Sequence, residues 1–323
     1  MAFVFAIIIV LEACLRFIYF GMDAFSPAKI NSYSLIINSD YAKPAANTDI
    51  YYELKPNLDN LFRGKRLTTN SHGLADKEYP LNKPDQTFRI AVIGSSWTMA
   101  TGVEAENTYH ALLENMLQSQ PKKNLAGRNI EIINFGVEYY GLGEMIATTK
   151  HKALPYKPDM IIFAITTSTP AILWEDDRPP FKRTNTTPPF WQSYLLQSVM
   201  GLFGKEAYKK RKRPMVKKGR GAYSRQIQRS INELAKLTKD NDIEVALLWL
   251  TSKEYYLDEA SMQFAGKLAN NYGFTFMPIS LETEAGIHNI KDKVITNLDT
   301  HPNETGHKLI ADRIYKELWE GEK

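Results

Sequence analysis

At 323 residues, 44% hydrophobic and 24% charged, the chain is long enough for one α/β domain plus extra segments and too apolar to be wholly disordered. Its single cysteine, Cys14, excludes an intramolecular disulfide framework and any Cys-rich metal site. The net charge of +4 is local in origin: Lys205 to Arg220 holds nine Lys and Arg against one Glu, and the remainder carries 31 basic and 35 acidic residues.

The first twenty residues, Met1 to Phe20, are apolar apart from Glu12 and Arg16. At about 1.5 Å rise per residue such a run matches the ~30 Å hydrocarbon core of a bilayer. Glu12 and Arg16 are spaced i, i+4 and are expected to pair on one helix face, which then snorkels to the interface or meets a partner helix. A cleaved signal peptide would want a basic start and a small-x-small cleavage site, and neither is visible. Residues 1–21 therefore read as a single-pass membrane anchor.

Residues 22–86 lack periodicity and are rich in Asn, Asp, Pro and Tyr, which reads as a lead-in wrapping the domain that follows. From Thr87 the pattern changes. Strands are expected at Phe88–Ile93, Ile130–Asn134, Met160–Ile165, Ile243–Leu250 and Phe274–Pro278, with helices near 105–118, 142–153, 222–239, 257–271 and 304–319. The alternation predicts a three-layer α/β/α sandwich with a parallel sheet. Residues 171–221 interrupt it as an insert, in which Phe190–Phe203 is aromatic and apolar and the basic run follows. Apolar residues followed by cations suit a membrane surface better than nucleic acid, because the run has few aromatics interleaved. Residues 190–220 are accordingly a second candidate membrane contact, with acidic polysaccharide or a partner subunit as alternatives.

Reactive groups in parallel α/β sheets gather where strands end and loops converge. Gly94-Ser95-Ser96 directly follows the first strand, so Ser96 stands on a turn and the amides of the next helix are expected to favour negative charge beside it. Asn134-Phe-Gly136-Val-Glu-Tyr139 follows the second strand. Asp299-Thr-His301-Pro-Asn303 lies just ahead of the last helix. A histidine beside an acid can take the proton of a serine, while the acid holds the imidazole tautomer. An ordinary helix cap is the bland reading of Ser96, and a loop histidine that of His301; the Asp299–His301 pairing favours chemistry for both. His72, His110, His151, His288 and His307 lack such an acid and read as structural, and no spacing suggests a metal or cofactor site.

Phe88 to Val103, with its Gly-Ser-Ser96-Trp-Thr core and later Gly102-Val103, resembles the first block of the SGNH (GDSL-like) hydrolases. Asn134 to Gly141 resembles the second block, Pro158 to Pro170 the third, and Asp299-Thr-His301-Pro-Asn303 the last. Leu250-Thr-Ser-Lys-Glu254 and Thr69-Asn-Ser-His-Gly-Leu74 are similar to stretches of membrane-anchored bacterial members related to polysaccharide O-acetyltransferases and acetylesterases. The resemblance implies a flavodoxin-like SGNH sheet, Ser96 as nucleophile, His301 as general base and Asp299 as its orienting acid. Tyr139 and Thr169 fall at the oxyanion-hole positions of blocks two and three, where the family has Gly and Asn. It further implies an extracytoplasmic serine esterase or O-acyltransferase, acting on an O-acetylated glycan from the bacterial cell membrane. The alternative is an inactive binding or assembly subunit of a membrane glycan-modifying complex.

Overall fold

The computed structural model describes residues 1–33, 35–120, 125–166, 169, 189–203, 220–252, 259–282, 294–295, 299 and 301–320. Most of the basic run (205–219), the start of the insert (171–188) and His288 lie outside these residues.

Helix α1 (Ala2–Phe20) runs without a Gly or Pro until Gly21, which takes φ +55 and ends it. Almost all its side chains point outward, and it is long and apolar enough to cross a membrane. A short helix α2 (Pro27–Asn31) follows, capped by Ser26. The lead-in then forms two small antiparallel hairpins, β1 (Ala42–Pro44) with β2 (Tyr52–Leu54) and β3 (Asp59–Phe62) with β4 (Lys65–Thr68). These strands of three or four residues are too short to leave a period in the sequence. They are held by burial: Tyr52, Leu54 and Phe62 enter the main core.

The main body alternates as its sequence pattern requires. In chain order it comprises β5 (Thr87–Gly94), α3 (Ser96–Met99), α4 (Tyr109–Ser119), β6 (Asn129–Asn134), α5 (Leu142–Thr148), β7 (Met160–Thr166), α6 (Tyr194–Phe203), α7 (Arg220–Lys239), β8 (Glu244–Thr251), α8 (Glu259–Asn271), β9 (Thr275–Ser280) and α9 (Glu304–Tyr315). Strands β5 to β9 form one parallel sheet in the order β6-β5-β7-β8-β9. This is the doubly wound, flavodoxin-like order.

Period-two alternation sends side chains to both faces. Ala91, Ile93, Ile161, Phe163, Leu247 and Trp249 pack against α5, α7 and α8 on one side, where the lead-in hairpins also lie. Ile90, Val92, Ile162, Ala164, Leu248 and Leu250 pack against α4 and α9 on the other. Each covering helix shows its buried stripe at helical spacing, as with Ile227, Ile231 and Leu234 on α7. At the far end of the sheet Arg89 is fully buried against Glu131, with its remaining N–H groups donated to the carbonyls of Pro80, Leu81 and Tyr156.

The insert's helix α6 sits beside α1. Arg16 donates to Glu12 at 2.9 Å, the expected i, i+4 pair, and also to the carbonyls of Phe190 and Gln192. The Glu12 carboxylate accepts from the backbone N–H groups of Tyr194 and Leu195 and from the Ser193 hydroxyl, so it caps the first turn of α6. Both charges in the apolar helix are thereby explained by a partner helix within the same chain.

Candidate active site

Ser96 sits at the carboxyl end of β5, between β6 and β7 where the strand order reverses. In doubly wound sheets the crevice for ligands opens at this point. The Ser95 carbonyl accepts from Thr98 and Met99, winding the chain into one turn that begins at Ser96. That turn stops at Ala100, whose φ of +60 is left-handed, and the next α-helix starts only at Tyr109. The helix expected near 105–118 is thus separated from Ser96, and what directly follows the serine is a single turn. Its field at the serine is correspondingly weak, and anion stabilisation must come from individual donors.

Two close approaches assemble the rest of the site around α3. A Cβ on Gly136 would lie 2.5 Å from the Met99 nitrogen and 2.7 Å from the Thr98 carbonyl carbon, so only glycine lets the turn after β6 reach α3. At Gly102 (φ +81) a Cβ would meet the Ile295 side chain at 2.5 Å, and Ile295 belongs to the segment that holds His301. There the Ile295 N–H donates to the His301 carbonyl at 2.9 Å, and Val294 bridges to Pro302. Asn303 caps α9 through Gly306 and donates its side-chain amide to the Val294 carbonyl, fixing the loop from the other side.

On this loop the His301 Nδ1–H donates to Asp299 Oδ1 at 2.5 Å, and the His301 backbone N–H donates to the same oxygen at 3.2 Å. Pairing through Nδ1 keeps the proton there and leaves Nε2 as the basic nitrogen. Burial by itself would raise the Asp299 carboxyl. Hydrogen bonds from His301 and the charges of His301 and Arg63 outweigh it and hold the group well below the usual carboxylate range.

Arg63 was not singled out in the sequence. It lies in the β3–β4 turn, with φ +49, and donates from Nη1 to Asp299 Oδ2 at 2.7 Å and from Nη2 to Glu138 Oε1 at 2.8 Å. Glu138 is buried, and its second oxygen accepts from the Ile36 N–H at 2.8 Å. A Phe-Arg-Gly-Lys turn in an aperiodic segment reads as solvated surface. Only its partners, 75 and 236 residues away in sequence, reveal its place.

The residue after Glu138 is Tyr139, whose φ of +64 is the left-handed conformation that glycine adopts most easily. The turn thus keeps a glycine-like backbone at the position where the family resemblance expects glycine. Thr169 is fully buried after β7, and its hydroxyl is engaged with the Thr166 N–H at 3.0 Å and the Thr166 hydroxyl at 2.8 Å. Asn134 also serves the second turn: its side-chain oxygen accepts from the Gly136 N–H at 2.8 Å, and its own N–H donates to Asp76. Burial pushes the Asp76 carboxyl up to about 7 against the pull of that bond. Among the described residues, no three His, Cys, Asp or Glu side chains converge as a metal site requires.

A parallel sheet in this order, with Ser96 after its first strand and an Asp-x-His pair ahead of its last helix, is the arrangement that the resemblance to the SGNH/GDSL-like hydrolases implies. No protein-family model matches the chain, and no curated protein does. Several solved structures resemble it. TesA is 15% identical, with 71% of this chain and 97% of that one covered and a TM-score of 0.47. The esterase EstA from Pseudoalteromonas sp. is 15% identical over 71% and 96% of the two chains, at a TM-score of 0.44. The acetylxylan esterase Axe2 from Geobacillus stearothermophilus is 14% identical over 71% and 93%, at 0.43. At these identities and TM-scores the likeness says nothing of this chain's activity or substrate.

Proposed function

We propose that the chain is a serine esterase or O-acyltransferase of the SGNH type, with Ser96 as nucleophile, His301 as general base and Asp299 as orienting acid. The observation that carries this reading is the Asp299–His301 pair, with Nδ1 bound to the carboxylate and Nε2 left as the base, on a loop packed against the turn that follows Ser96. In the first half-reaction Nε2 takes the Ser96 hydroxyl proton as Oγ bonds to the ester carbonyl carbon. Collapse expels the alcohol, which takes that proton from the imidazolium, and leaves an acyl-enzyme. In the second half-reaction water or a sugar hydroxyl attacks the acyl carbon by the same path in reverse. Developing charge on the carbonyl oxygen would be met by backbone N–H groups at Ser96 and Tyr139.

The substrate class in this reading is an O-acetylated glycan outside the cytoplasm, with α1 as the bilayer anchor. The α6 cap supports retention of α1, because removing the helix would leave the Tyr194 and Leu195 N–H groups without Glu12. Trp191, Leu196 and Val199 stand exposed beside the anchor and extend the surface offered to lipid. The second reading, a binding subunit without activity, is favoured by the Thr169 hydroxyl being engaged with Thr166 instead of standing in for an asparagine donor.

Labelling with a fluorophosphonate serine probe separates the two. The first reading expects the wild type to be labelled and Ser96→Ala and His301→Ala to lose labelling while remaining folded by circular dichroism. A folded wild type that resists the probe sinks it in favour of the binding subunit.

A further inference from the structure

We propose that Arg63 is a positioning residue of this site, tying the Asp299 carboxylate to the Glu138–Tyr139 turn and tempering the negative charge that His301 feels. The role rests on the serine-hydrolase reading above. It assigns to the lead-in segment a part in the chemistry that neither the motif blocks nor the strand pattern assigns.

Connectivity is the first argument. The Glu138 N–H lies 3.3 Å from Met99 Sδ, in the same turn as Ser96. From there the links run Glu138 to Arg63 at 2.8 Å, Arg63 to Asp299 at 2.7 Å and Asp299 to His301 at 2.5 Å. One guanidinium therefore joins the nucleophile's side of the crevice to the acid's side. Its planar fork can serve two carboxylates at once, whereas an ammonium is a compact point charge. The backbone is held as firmly: the Arg63 N–H donates to the Ser32 carbonyl at 3.0 Å and the Gly64 N–H to the Ser32 hydroxyl at 2.8 Å.

Charge balance is the second argument. Glu138, Arg63 and Asp299 together carry one net negative charge beside a neutral His301, and the cluster becomes neutral when His301 is protonated. Without Arg63 the two carboxylates would lose the cation that joins them, and the charge beside His301 would be left uncompensated. The other groups around the cluster do not replace this cation. The Tyr33 hydroxyl donates to Asp23, which is also paired to Lys29. Tyr139 adjoins Glu138 in the turn, and His307 on α9 is kept neutral by burial. Lys65 is paired with Glu304 at 3.4 Å and Glu104 at 3.9 Å.

The test uses the full-length protein in detergent, with Arg63→Gln, Arg63→Lys and Glu138→Gln. Two readouts are followed from pH 5 to 9: the rate of fluorophosphonate labelling, and the ring resonances of isotope-labelled histidine, with His301→Ala identifying the relevant signal. Arg63→Gln should move the acid limb of labelling and the His301 resonance transition to higher pH and slow labelling about ten-fold. Glu138→Gln should move both midpoints to lower pH. Arg63→Lys should keep them near the wild type while slowing labelling, because one ammonium cannot fork between both acids. Shifts of opposite sign cannot come from loss of stability, and thermal melts of each variant check folding. Arg63→Gln and Glu138→Gln profiles that both superimpose on the wild type would overturn the proposal, and if one variant fails to fold the other decides. Should the wild type resist the probe, the hydrolase reading fails, while the histidine resonances still report whether Arg63 sets the charge at His301.

Discussion

His301, His110 and His307 are set apart by what surrounds each ring. His301 is partly exposed and bound to an acid. His110 and His307 are buried; the His307 Nδ1 accepts from the Tyr109 N–H, and the His110 Nε2 meets the Thr108 hydroxyl. Burial lowers both of them to about 3. Unfolded histidines bind protons near pH 6.5, so between 6.5 and 3 the unfolded chain holds more protons than the folded one. Stability present above 6.5 should fall by about 1.4 kcal/mol per pH unit for each ring as the solution is acidified. Urea unfolding at a series of pH values checks this, and His307→Asn should reduce the slope by one proton. The depressed Asp299 carboxyl adds a separate loss at lower pH, beginning near its unfolded value of about 3.9 and continuing as pH falls toward the folded one. At this scale Ser96, Asp299 and His301 could be singled out because each lies within a few residues of a strand end or helix start. Arg63 could not, because what marks it is distance in sequence closed by folding. Nor could the pairing of Thr169 with Thr166, which turns on a side-chain rotamer.

Among the elements, the five sheet strands and their helices were legible because burial on both faces forces continuous apolar runs and helices that repeat every three to four residues. The hairpins at 42–68 were not: two strands of three residues and two of four give no pattern. The single turn after Ser96 escaped for a related reason, since nothing in Trp97-Thr-Met-Ala-Thr requires the chain to turn left-handed at Ala100. Gly136→Ala should cost about 1–3 kcal/mol, because the Met99 nitrogen and the Thr98 carbonyl carbon it would meet are backbone and cannot swing aside. The readouts are the melting temperature and the rate of probe labelling, which should fall together. For α6 the prediction concerns its cap. Glu12→Ala should cost about 1 kcal/mol locally, seen as faster hydrogen exchange at Tyr194 and Leu195 with the sheet unaffected.

The whole molecule presents one long apolar helix on a body whose own core is closed. Phe3, Val4, Phe5, Ile7, Ile8, Ile9, Val10 and Leu11 form a contiguous exposed apolar surface, the kind that marks a membrane or protein contact. The full-length protein should partition into the detergent phase on cloud-point separation and sediment with membranes; recovery in the aqueous phase would count against an anchor. Where that helix ends bears on reach. Among the described residues the chain after Gly21 is tied down at once: Asp23 binds Lys29 and the Tyr33 hydroxyl, Ser32 binds Arg63, and Arg63 binds Asp299. With α1 in a bilayer, the crevice would stand at a set height above the lipid, as a jig holds a tool. In the proposed reaction on a glycan it would work on polymer that passes through one thin layer of space, and the length of chain threaded through that layer, more than diffusion of the enzyme, would decide which sugars are modified.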